Sequence, residues 1–160
     1  MPGVTVDELF DGWERAWSGR DPDAFAALCD PDDVHYEDPL TPEPLESPEA
    51  IARHARRLWA GFPDARMQPT GARLTDGTYA SAPVKVLGTH TAELEGLTAT
   101  NRFVIVHGVV YAELRGERLH RIRVFFDLYD AAVQLGVLPK PGTLGERALL
   151  MLRGFGLRQR

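Results

Sequence analysis

The sequence holds one cysteine, Cys29. A single thiol excludes an internal disulfide and makes a reducing compartment the default. No stretch approaches the roughly 20 consecutive apolar residues that a bilayer span requires, so no membrane span is expected. The opening "MPGVTVDELF" has neither a basic run nor a long apolar core, and it does not read as a signal peptide. A cytoplasmic location is the expectation. There is no basic stripe, and the net charge is −5, which argues against nucleic acid as the main partner. His35, His54, His107 and His120 are scattered and form no metal-ligand spacing. There is no glycine-rich phosphate loop. Neither metal nor cofactor is therefore expected. Internal repeats and low-complexity linkers are also missing.

What is present fits one domain with a core large enough to fold alone: 160 residues, 44% of them apolar and 26% charged. The charge is uneven. Residues 140–160 carry Lys140, Arg147, Arg153, Arg158 and Arg160 against Glu146 alone, a surplus of four positive charges, which leaves −9 on the first 139 residues. A cone domain over 1–139 and a basic C-terminal tail helix over 140–160 are expected. The tail is expected to pack on its own body or on a sister subunit.

Apolar positions Val6, Leu9, Phe10, Trp13 and Trp17 recur in steps of three and four, which predicts a helix over 5–18. Thr5 and Glu8 have the spacing of a capping box. Asp21 before Pro22 predicts a second, short helix ending near Cys29. Cys29, inside "DAFAALCD", reads as a small buried hydrophobe. "DDVHYEDP" alternates, with Val34, Tyr36 and Asp38 on one face, and predicts a short strand. "PLTPEPLESP" has four prolines in ten residues and predicts a loop, after which Ser47 and Pro48 open a third helix. Strand-like runs follow at about 65–74, 78–91, 98–114 and 117–127, joined by "TDG", "ELEG" and "RGE". Turns this short join antiparallel neighbours. Short helices are expected over 127–136 and 143–153. Helices grouped ahead of long strands give an α+β fold. A curved antiparallel sheet would wrap round the N-terminal helices and leave a central pocket.

The segments "WERAWSGRDPDAFAALCDPDDVHYEDP", "SPEAIARHARRLWAGFPD", "GTHTAELEGLTATNRFVIV" and "LHRIRVFFDLYDAAVQLG" resemble, in order, the SnoaL-like polyketide cyclases. That family lies within the nuclear-transport-factor-like (cystatin-like) cone superfamily, with ketosteroid isomerase and limonene-epoxide hydrolase. The sequence departs from the family pattern in places. Ser47 stands where glycine is frequent, and Thr98 and Asn101 stand where proline and glycine are frequent. The resemblance implies a cofactor-free cyclase or isomerase of a hydrophobic, polyketide-like small molecule, and a homodimer. An outer sheet face carrying Phe103, Ile105, Val109 and Tyr111 would have reason to be covered.

Asp127 resembles the family's acid/base aspartate. Flanked by Val124, Phe125, Phe126 and Leu128, it is expected in apolar surroundings, which raise a carboxyl pKa towards the working range. It also suits the N-cap of the following helix. His90 shares strand parity with Ala82, Val84, Val86 and Gly88 and is expected to face inward. There it would donate to an enolate, orient Asp127, or simply satisfy a backbone group. Asp38, beside Tyr36, would be a second carboxylate across the pocket from Asp127, or a turn residue before Pro39. Arg121 and Arg123 share parity with Asp127. Asp127, Arg123 and Asp38 would open an epoxide with water, as the epoxide-hydrolase relatives do, or the arginines form outer-face ion pairs. Tyr36, Trp13, Trp17, Trp59, Phe125, Arg123 and Gln134 are the candidate substrate contacts. The three tryptophans equally suit a core, and Gln134 suits a helix surface. A non-catalytic binding or association module remains open on fold alone.

Overall fold

The computed structural model describes residues 3–156. Arg158 and Arg160 of the basic tail lie outside them. The first helix, α1 (Val6–Gly19), begins on the predicted capping box: Thr5 Oγ1 accepts from the Glu8 amide at 3.2 Å, and Glu8 accepts from the Thr5 amide at 2.7 Å. Helix α2 (Ala24–Leu28) starts two residues later than expected. Asp21 spends its carboxylate on the Asp23 amide (3.2 Å), so it closes a turn and does not cap the helix. A short strand, β1 (His35–Glu37), precedes the proline loop. Helix α3 (Pro48–Gly61) opens on Ser47, whose hydroxyl accepts from the Ala50 amide, with Pro48 in the first turn.

The expected strand at 65–74 is two pieces, β2 (Arg66–Pro69) and β3 (Leu74–Thr75). Both pair antiparallel to β4 (Tyr79–Thr89), which pairs with β5 (Phe103–Arg115), and β5 with β6 (Arg118–Phe126). Pro69 has no amide to continue a ladder, and the chain breaks there. β5 begins later than expected because Asn101 is left-handed (φ 54°) and the Thr100 amide turns to the His90 ring. β1 joins the far edge in parallel to β6, which gives the order β1-β6-β5-β4-β2 in a mixed, unclosed sheet. Helices α4 (Leu128–Gln134) and α5 (Leu144–Gly156) follow. Leu144, Leu150, Met151 and Leu152 of α5 are exposed. No helix among the described residues is long and apolar enough to cross a membrane.

The sheet is small where the helices are large. Ala80, Ala82, Val84, Val110 and Ala112 line its inner face, and Trp13, Trp17, Phe25 and Trp59 fill the space opposite. The indoles meet edge to face, Trp13 to Trp17 and Trp17 to Trp59, each with centroids 6.0 Å apart. That geometry adds about 0.5–1.5 kcal/mol per pair beyond burial. A smaller cluster, Val104, Val106 and Ala131 with Phe62, Phe126 and Leu135, sits where α4 meets β5.

Cys29 ends α2 fully buried, and burial pushes its thiol up to about 12. The thiolate is the reactive form. The folded protein should therefore resist an aromatic disulfide reagent at mildly alkaline pH and react fully once denaturant unfolds it. Rapid labelling of the folded chain would contradict this placement.

Candidate functional site

β6 ends at Phe126, and the next residue is Asp127. Its amide donates to the His107 carbonyl at 3.1 Å, a last rung of the β5–β6 ladder. Its carboxylate accepts from the Asp130 amide at 3.0 Å and caps α4. The two phenylalanines before it part company. Phe125 points from the outer face, 54% exposed, while Phe126 joins the apolar cluster beneath α4. Asp127 is itself exposed, so the apolar enclosure expected for it is not formed. The one register irregularity of the β5–β6 pair lies at Glu113/Leu114, so parity holds from Arg121 to Phe125 and puts Arg121, Arg123 and Phe125 together outside. Arg123 pairs with Glu37 there at 2.8 Å. A groove of about 470 Å³ on this face is lined by Tyr111, Val109, Phe125 and these charged side chains.

Past Gly108, β6 no longer covers β5, and Gln134 takes over. Its side-chain amide accepts from the Ile105 amide at 2.9 Å and donates to the Ile105 carbonyl at 2.8 Å. One glutamine thus completes two rungs of a ladder and ties the end of α4 to the strand. Gly108 has its own constraint at this join: a Cβ there would lie 2.4 Å from the Phe125 carbonyl oxygen.

His90 follows β4 and is fully buried, as its parity predicts. Its ring stacks on Phe62 with centroids 5.1 Å apart. Nδ1 accepts from the Thr100 amide at 3.2 Å, with the Thr100 hydroxyl also at 3.2 Å. Nε2 is buried without a partner. Asp64, in the "FPD" turn after α3, holds the neighbouring Thr89 through both its amide (2.7 Å) and its hydroxyl (2.8 Å).

Asp38 lies on the inner face with Tyr36, as expected, but its partner is not Asp127. Its Oδ2 accepts from the Tyr36 hydroxyl at 2.7 Å and meets His54 Nε2 at 2.7 Å, while Oδ1 accepts from the Leu40 amide at 2.7 Å. Burial by itself would raise this carboxyl; the hydrogen bond and charge of His54, with the Tyr36 hydroxyl and the Leu40 amide, outweigh it and hold it below the ordinary carboxylate range. The Asp38 amide donates to Thr41 Oγ1, so the same residue fixes the start of the proline loop. His54 is the functional-looking residue that sequence reasoning passed over. It completes the buried stripe Ile51, His54, Ala55, Leu58 at helical spacing, and a histidine in an apolar stripe needs a polar partner inside. Trp13, Trp17 and Trp59 lie in the core cluster, and Trp59 Nε1 donates to the Trp17 carbonyl at 3.1 Å.

The fold is thus the nuclear-transport-factor-like cone, with buried polar groups on its inner face and a carboxylate at the β6–α4 join. Residues 8–135 match the SnoaL-like polyketide cyclases, and the chain belongs to that family. None of the curated proteins matches it. Among solved structures it resembles TsrD from Streptomyces laurentii (20% identity, TM-score 0.73, covering 83% of this chain and 96% of that one). It also resembles AclR from Streptomyces galilaeus, a candidate hydroxylase (18% identity, TM-score 0.72, covering 92% and 91%). A third likeness is to IdmH from Streptomyces antibioticus, a candidate polyketide cyclase (20% identity, TM-score 0.70, covering 81% and 97%).

Proposed function

We propose that the protein is a cofactor-free enzyme that cyclises, by an aldol-type step, or isomerises a hydrophobic, polyketide-like small molecule through proton transfer. Asp127 serves as acid and base, with His90 and Asp38 assisting. The observation that supports this best is the setting of Asp127. Its carboxylate stands open at the rim of an apolar cluster (Phe62, Phe126, Ala131, Leu135), with only the Asp130 amide engaging it among the described residues. A substrate settling on that cluster would strip water from the carboxylate, and desolvation is what raises such a group towards neutrality.

A non-catalytic binding or association module is the second reading. It draws support from the exposure of Asp127 and from the close filling of the interior by Trp13. Epoxide opening has less support, because Arg123 and Asp38 lie on opposite faces of the sheet. We include in the proposal a homodimer formed through the outer face, where Phe103, Ile105, Val109 and Phe125 stand exposed.

A mass measurement on turnover separates these readings. Cyclisation or isomerisation gives a product of unchanged mass, or one lighter by a water if the aldol dehydrates, with nothing added to the buffer. A product heavier by one water, carrying oxygen from labelled solvent, would point to epoxide opening. Stoichiometric binding without turnover would establish the non-catalytic reading.

A further inference from the structure

We infer that His90 Nε2 is a neutral hydrogen-bond donor that recognises a carbonyl or enolate oxygen of the ligand. The inference rests on the reading above that the cone takes a hydrophobic small molecule, and it specifies what that molecule presents.

The Thr100 backbone amide donates to His90 Nδ1 at 3.2 Å. A ring nitrogen that accepts carries no proton, so in the neutral ring the proton sits on Nε2. This holds whichever way the Thr100 hydroxyl turns, because the amide can only donate. Thr100 is therefore the residue that sets the tautomer. The opposite edge of the ring is then a donor, and it is buried with no acceptor. An unmet buried donor costs about 1–3 kcal/mol, and such exceptions are few in folded proteins. The stacked Phe62 offers no acceptor to Nε2. Trp13 Nε1 and Trp17 Nε1 are likewise buried and unpartnered. The interior therefore holds a surplus of donors. What it lacks is acceptor oxygen within an otherwise apolar molecule.

The route to this edge runs beneath α4. Phe62, which stacks on His90, also packs in the cluster with Ala131 and Leu135. Ala131 is the only residue of α4 that is buried. An element with so little buried area opens at low cost, and its opening would uncover Phe62 and the ring behind it.

Two measurements test this. The first is the ring nitrogen spectrum of ¹⁵N-labelled protein at neutral pH, in which His90 should show the proton on Nε2. A proton on Nδ1 would overturn the inference. The second uses 1-tetralone and tetralin, the same apolar bicycle with and without one carbonyl oxygen. The ketone should bind roughly 3–10-fold more tightly, the worth of one neutral hydrogen bond, and should move the His90 Nε2–H resonance. His90→Phe should erase the preference. Equal affinities, a preference that survives His90→Phe, or no binding of either compound at millimolar concentration would each overturn it. If His90→Phe fails to fold, the shift of the wild-type Nε2–H on adding ketone, and its absence on adding tetralin, still decides. The readout is independent of turnover. A chain that keeps the ketone preference while Asp127→Asn leaves activity intact would sustain this inference and sink the acid/base role of Asp127.

Discussion

Asp127→Asn should lower activity by about 10²–10⁴-fold, the contribution of a positioned acid/base group, and leave the melting temperature unchanged. The structure makes this substitution unusually clean. Asp127 holds the first turn of α4 by accepting from the Asp130 amide, and asparagine caps a helix about as well as aspartate. The carbonyl oxygen of the amide keeps that bond; what the variant loses is the capacity to take and return a proton. Asp127→Ala removes both functions. It should lose the same activity and, in addition, about 0.5–2 kcal/mol of stability, the usual cost of a missing cap. The pair of variants separates the two roles. If activity follows the cap, so that Asn is active and Ala is not, Asp127 serves only its own helix.

The largest stability effect is expected at Asp38. Asp38→Ala leaves the Tyr36 hydroxyl, the His54 imidazole and the Leu40 amide without their common acceptor, all beneath the surface. Breaking a buried pair from one side costs about 3–5 kcal/mol, which in a domain of this size lowers the melting temperature by roughly 10 °C. The effect has a pH signature. The folded carboxyl lies below its ordinary value of 3.8, so the unfolded chain binds the proton more readily. The stabilisation is complete above that ordinary value and drains away as pH falls through the folded one. Denaturant titrations from neutral to acid pH should show wild type falling towards Asp38→Asn, which has no such proton to bind. Parallel curves for the two proteins would mean that the ionised Asp38 contributes nothing.

Local rules made much of the fold legible. Thr5 with Glu8, and Ser47 with Pro48, announced α1 and α3, because a cap satisfies amides within its own turn. Period-two alternation gave the inner face of β4 correctly as far as His90. The misses lie where a side chain answers to a distant partner. Asp38 and Asp127 looked equivalent as carboxylates near prolines or caps; only the packing of α3 against β1 brings His54 to one of them. Gln134 was an ambiguous surface amide, since nothing in "QLG" reveals that Ile105 lies unpaired twenty-nine residues upstream. The early start assigned to β5 failed for the same reason: the Thr100 amide belongs to an imidazole, not to a neighbouring strand.

The Gln134 latch has a further consequence, for solubility. Between Phe103 and His107 one side of β5 has lost its neighbouring strand, and the Asp127 amide and the Gln134 side chain are what occupy its backbone groups. A bare strand edge is a template for pairing with another chain. Lifting α4 to admit a ligand therefore also strips the guard from a length of apolar β-edge bearing Phe103 and Ile105. Selection on that helix then has two ends to serve. It has to leave often enough for traffic, and return fast enough that copies of the protein do not stitch together through the gap.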